Sequence, residues 1–171
     1  QKSVSGCSIQ LTGKGASADL DGAYAVNRKR VLDFNYRIEY KEKNTQGNIN
    51  VRGVLLDKAR KAAKSTLDFL PGAAGAKGRE EESVLVLSSD AVNLSAPLLL
   101  CGEDDVEGAH AASTGKLDES KLFYLMTRGF SETDAKKIIL EASFNPVLQK
   151  ITDESLKEQI FSYIKERLSY V

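Results

Sequence analysis

Apolar and polar residues alternate along Leu32-Asp33-Phe34-Asn35-Tyr36-Arg37-Ile38-Glu39-Tyr40, the period of two that gives a strand one buried face. Shorter runs of similar character lie at 8–11, 18–20, 23–26, 49–55, 65–70, 84–87 and 98–101, separated by Gly, Asn, Asp or Ser. Residues 1 to about 115 therefore read as all-β. Many short strands joined by turns can close as a sandwich, a barrel or a parallel β-helix, and no exact repeat selects among these. Pro71 to Gly75, together with the charge run Lys77 to Glu82, is expected to form one long loop ahead of the strand at 84–87.

Past Lys116 the period changes. Asp118 is placed to cap a helix through Leu122, Phe123, Leu125 and Met126, with Gly129 at its left-handed end. Ser131 and Asp134 resemble a capping box that opens a second helix, with Ala135, Ile138, Ile139 and Ala142 on one face. Pro146 marks a break, after which Thr152 or Asp153 starts a third helix whose Leu156, Ile160, Ile164 and Leu168 recur every four residues. The expected fold class is mainly β with a C-terminal α-helical subdomain: a β core over 1–116, then a helical domain over 117–171.

Composition narrows the class. Twenty-four Lys plus Arg balance 24 Asp plus Glu, so no global field draws the chain to nucleic acid or an anionic membrane. No apolar run approaches the roughly 18 residues of a membrane span. Two widely separated cysteines, Cys7 and Cys101, give no disulfide framework, which points to a reducing, cytoplasmic setting. The chain opens on Gln1 rather than Met, so the natural N-terminus is expected upstream and the β core is expected to be truncated there.

Candidate chemistry concentrates at Cys101, Glu103, Asp104, Asp105, Glu107 and His110, the only histidine. Imidazole suits iron or zinc, thiolate suits iron–sulfur clusters and zinc, and carboxylates suit harder ions. The same residues also fit a solvated acidic turn, a small apolar cysteine and a histidine satisfied at a strand edge. Neither Gly-rich stretch has phosphate-loop spacing, so no nucleotide site is expected. No serine lies in a nucleophile elbow, and the chain is not expected to be an enzyme.

His110-Ala111-Ala112-Ser113-Thr114-Gly115-Lys116-Leu117-Asp118, followed by Leu122-Phe123-Tyr124-Leu125 and Arg128-Gly129-Phe130-Ser131-Glu132, closely resembles the SufB/SufD family of iron–sulfur cluster assembly scaffolds. Gly13, Gly15, Asp33-Phe34, Glu39, Asn44, Gly53-Val54-Leu55, Pro71-Gly72-Ala73 and Leu85 to Ser88 fall in the family's order and approximate spacing. The resemblance implies a right-handed parallel β-helix followed by about three helices. It also implies a SufBCD-type complex with a second SufB/SufD-type scaffold subunit, as a hetero- or homodimer, and a SufC-type ATPase.

By resemblance, His110 is the interface histidine that contributes to a transient iron–sulfur cluster at a shared subunit interface, and it is the candidate metal ligand. Cys101 is kept as a second candidate ligand, although it matches no family position. Leu122, Phe123, Tyr124, Arg128 and Gly129 fall in the region implied to dock the ATPase. Gly108 stands where SufD-like chains carry a cysteine, Ala111 where SufB-like chains carry a glutamate, and Tyr40 where a histidine is common. The alternatives are a metal-dependent enzyme using the acidic turn and His110, or a purely structural β-solenoid dimer.

Overall fold

The chain is described by a computed structural model covering residues 1–168. Eight strands come first: β1 (Lys2–Leu11), β2 (Ser17–Val26), β3 (Val31–Tyr40), β4 (Gln46–Leu55), β5 (Arg60–Phe69), β6 (Ala76–Val86), β7 (Val92–Cys101) and β8 (Val106–Gly115). Odd strands form one parallel sheet in the order β1-β3-β5-β7, and even strands form another, β2-β4-β6-β8. Each odd–even pair is one coil of a parallel β-solenoid of four turns.

Successive rungs lie 29 residues apart at first, with Lys2 beside Val31 and Val31 beside Arg60. The spacing then widens to 32, with Arg60 beside Val92. The turns stack as the strands do. Gly15, Asn44 and Gly75 each take a left-handed φ between an odd and an even strand, the conformation Gly adopts without steric cost and Asn tolerates. Gly15 N–H donates to Lys43 O, Asn44 N–H to Ala74 O and Gly75 N–H to Asp105 O, so each turn is bonded to the next.

Two expectations about the strands are corrected. The charge run Lys77 to Glu82 is no loop but the middle of β6, because pairing with β4 satisfies its backbone and its charges find partners. Only 71–75 turns. The runs at 18–20 and 23–26 are a single strand, β2, with Gly22 inside it. Val106–Gly115 forms β8 although its small side chains carry little strand signal, because β6 offers it a complete parallel ladder. Pro97 lies within β7, which is tolerable because β7 is an edge strand of its sheet.

Helices follow: α1 (Glu119–Thr127), α2 (Glu132–Leu148) and α3 (Glu154–Leu168). Asp118 caps α1 by accepting from the Ser120 and Lys121 amides, and Gly129 closes it at φ 94°. Ser131 caps α2 by accepting from the Asp134 amide. Asp153 accepts from the Leu156 amide at the start of α3. Pro146 does not break α2. The carbonyl it cannot reach belongs to exposed Ala142, and Gln149 N–H still closes the last turn onto Asn145 O.

That last turn carries part of the core. Leu140, Phe144 and Leu148 pack with Ile164 of α3 against Val54 and Leu56, beside Ala25 and Leu85. Ala25, Val54 and Leu85 are neighbours in register, so the helices sit on an apolar column of the outer sheet face. Of the stripe expected on α2, Ala135 is buried, whereas Ile138, Ile139 and Ala142 line a cleft of about 490 Å³ shared with Tyr124 and Leu125 of α1. The Leu168 side chain and residues 169–171 lie outside the described residues.

Candidate functional site

Alternate residues of every strand point into the lumen between the two sheets. In the third coil these are Lys61, Ser65 and Leu67 from β5, and Glu80, Glu82 and Val84 from β6, all buried. Lys61 Nζ donates to Glu82 Oε1 at 2.5 Å and to Ser95 Oγ at 2.8 Å, and lies 5.5 Å from the Phe34 ring centroid. Tyr24 OH donates to the same Glu82 oxygen at 3.4 Å. Ser65 Oγ donates to Glu80 Oε1, while Glu80 Oε2 is buried without a hydrogen-bond partner.

Burial sets the electrostatics. Desolvation lowers the Lys61 pKa, opposed by the bond to Glu82 and by the charges of Glu82 and Glu80. Desolvation raises that of Glu80, with Glu82 adding to the rise and Ser65, His110 and Lys61 opposing it. The Tyr24 hydroxyl is pushed well above its ordinary value by burial first and by Glu82 second.

The fourth coil closes this polar lumen on one side only. His110 pairs in register with Glu80, so both occupy the same inward column. No further strand pairs with β7 or β8 among the described residues, which leaves His110 exposed at an open edge. Across the lumen Asn93 Nδ2 donates to Thr114 Oγ1 at 2.9 Å, a facing that sets Pro97 opposite His110 and Cys101 opposite Val106.

Cys101 is therefore not brought to the histidine. It is exposed and lies four residues beyond Pro97, about 13 Å along the strand at about 3.3 Å per residue. Cys7 is exposed on β1, at the opposite end of its sheet. The acidic turn is used locally, since Glu103 accepts from the Gly72 and Asp104 amides, and these bonds hold its carboxyl below the usual range. Among the described residues no three His, Cys, Asp or Glu side chains gather closely enough to hold a metal ion.

Gly108 points into the lumen beside Leu99. A side-chain carbon there would lie 2.7 Å from a Leu99 methyl and 3.1 Å from Phe69, so a cysteine at 108 would require Leu99 to move. Tyr40 is fully buried, stacks on Phe69 with centroids 4.3 Å apart and donates to Gly47 O at 2.9 Å. It is a core residue.

On α1, Phe123, Tyr124, Arg128 and Gly129 are exposed, and the Arg128 guanidinium lies 5.2 Å from the Tyr124 ring. Leu122 and Leu125 are half-buried. The lumen residues Lys61, Ser65, Glu80 and Glu82 were missed by sequence reasoning. The signal that could have found them is the alternation of Ala76, Gly78, Glu80, Glu82 and Val84, interrupted by outward charges.

Taken together, these features define a parallel β-solenoid whose polar lumen ends, among the described residues, at an unpaired strand edge bearing one histidine. Residues 1–143 match the family described as "SUF system FeS cluster assembly, SufBD core domain", and the chain belongs to this SufB/SufD family of iron–sulfur cluster assembly proteins. It is 30% identical over 165 residues to the iron–sulfur cluster assembly protein SufD of Bacillus subtilis, covering 96% of this chain and 38% of that protein. To SufD of Escherichia coli it is 25% identical over 161 residues, covering 94% and 38%. To a SufBD family protein of Mycobacterium leprae it is 27% identical over 169 residues, covering 94% and 43%. The chain spans about two fifths of the length of these relatives. No described helix is long and apolar enough to cross a membrane.

Proposed function

We propose that this chain is a non-catalytic scaffold subunit whose β7–β8 edge pairs with a second scaffold subunit, with His110 contributing to a cluster built between them. The observation that carries this reading is the position of His110: exposed, on the last rung, at the mouth of a polar lumen. An unpaired strand edge is a template for another chain, and one imidazole with two remote cysteines makes this chain one contributor to a shared site. Iron and sulfide are then cargo assembled at the interface.

The exposed Phe123, Tyr124 and Arg128 of α1 form the docking face for the ATPase subunit. Because α2 and α3 share a core with the outer sheet face, a pull on the helices would be transmitted to the coils and could rearrange the interface.

Anaerobic reconstitution with the partner scaffold and the ATPase tests this. His110→Ala is expected to lose cluster while subunit association, followed by gel filtration, persists. Unchanged cluster yield would remove His110 from the mechanism. A Phe123→Ala/Tyr124→Ala double variant of the intact chain is expected to lose retention by the ATPase in a pull-down, and full retention would contradict the docking face.

A further inference from the structure

Glu80 is anchored on one side only. Ser65 holds Oε1, and among the described residues no other buried carboxylate oxygen lacks a hydrogen-bond partner as Glu80 Oε2 does. Such an atom calls for a reason, since burying an acceptor without a donor forfeits its hydration with nothing in return. Its inward neighbour on the open rung is His110. Glu82, the other lumen carboxylate, is engaged by Lys61 and Tyr24, and Pro97, on the facing wall, has no side-chain donor.

We propose that Glu80 and His110 form a two-donor half-site for a divalent first-row cation such as iron(II), completed by donors from across the open edge. The inference rests on the placement of His110 at a shared site and adds to it the residue one rung below. Adjacent rungs lie about 4.8 Å apart. An ion bound at about 2.0–2.2 Å to an imidazole nitrogen and a carboxylate oxygen bridges much the same span. Imidazole and carboxylate suit a first-row divalent ion, whereas soft thiolate sites suit cluster sulfur chemistry. This chain thus offers a seat for the metal rather than for sulfide. Ser65 fixes the carboxylate so that Oε2 stays turned to the lumen without a protein donor competing for it.

Cobalt(II) is a suitable probe of the intact chain, read through ring resonances that only His110 can give. Paramagnetic broadening of the His110 ring and of the Glu80 carboxyl carbon is expected at the same cobalt concentrations. Glu80→Gln, which keeps the shape and the bond to Ser65, is expected to require at least about tenfold more cobalt for the same His110 response. Glu80→Asp should fall between them, and Glu81→Gln, on the outward side of the same strand, should leave the titration unchanged. An unaltered His110 titration in Glu80→Gln would overturn the role of Glu80 while leaving His110 and the scaffold reading in place. Broadening of the His110 ring without the Glu80 carbon in the unsubstituted chain would overturn it independently of any variant. No His110 response at all would refute the half-site, and cluster yield with the partner would still judge the scaffold reading.

Discussion

The first two coils and the last two share one backbone plan but differ in what fills the lumen. In one column the residues run Leu20, Ile49, Glu80, His110 from the first rung to the last. Below, Phe34, Ile38, Tyr40, Ile49 and Val51 make an ordinary close-packed core. Above, Lys61, Glu80 and Glu82 are buried where the same positions could have carried aliphatic residues. Replacing buried ion pairs by apolar residues is often neutral or stabilising, so stability does not explain the upper lumen. The proposed site at the open β7–β8 edge would explain it.

The sharpest break in that comparison is Lys61→Met. It leaves the Glu82 charge buried without its cation and is expected to cost about 3–5 kcal/mol in denaturant unfolding. Adding Glu82→Gln should recover most of the loss, which no cavity in an apolar core would do. In the lower coils Ile38→Ala should cost about 2–5 kcal/mol with no dependence on pH, since its register neighbours are Ile9 and Leu67.

Glu80→Gln should have a smaller effect, and one that depends on pH. The folded-state pKa of Glu80 lies above the value of 4.5 it starts from, so the folded chain holds the proton more tightly. Its contribution to stability is fully present below the unfolded pKa and declines as pH rises toward the folded pKa. The melting temperature of Glu80→Gln relative to the unsubstituted chain should therefore rise between pH 4 and pH 7. A difference that stays flat or falls would show that burial does not dominate at Glu80.

The same comparison explains what was legible in the sequence. β3 announces itself because its inward Phe34, Tyr36 and Ile38 alternate with polar residues. β6 does not, because Glu80 and Glu82 occupy inward positions and read as a solvated loop. The rung repeat is hidden for a related reason: Phe34, Ala63 and Ser95 are register equivalents, and their chemistry has nothing in common. The helix caps at Asp118 and Ser131 were legible because capping is local. The end of α2 was not, because Leu148 is buried in the core that α2 shares with Val54 and Leu56, a long-range contact that local propensity does not report.

His110 was found through its sequence surroundings, whereas its relation to Glu80 depends on a pairing thirty residues apart that only the stacked coils reveal. Since it is the only histidine in the chain, labelling this subunit with 15N-histidine makes every hyperfine nitrogen-15 signal its own. The reconstituted complex, reduced to a paramagnetic cluster state and examined by pulsed electron paramagnetic resonance, should show a nitrogen-15 coupling of the size expected for a directly bound imidazole. A cluster formed in full yield with no such coupling would contradict the central claim that His110 takes part in holding it.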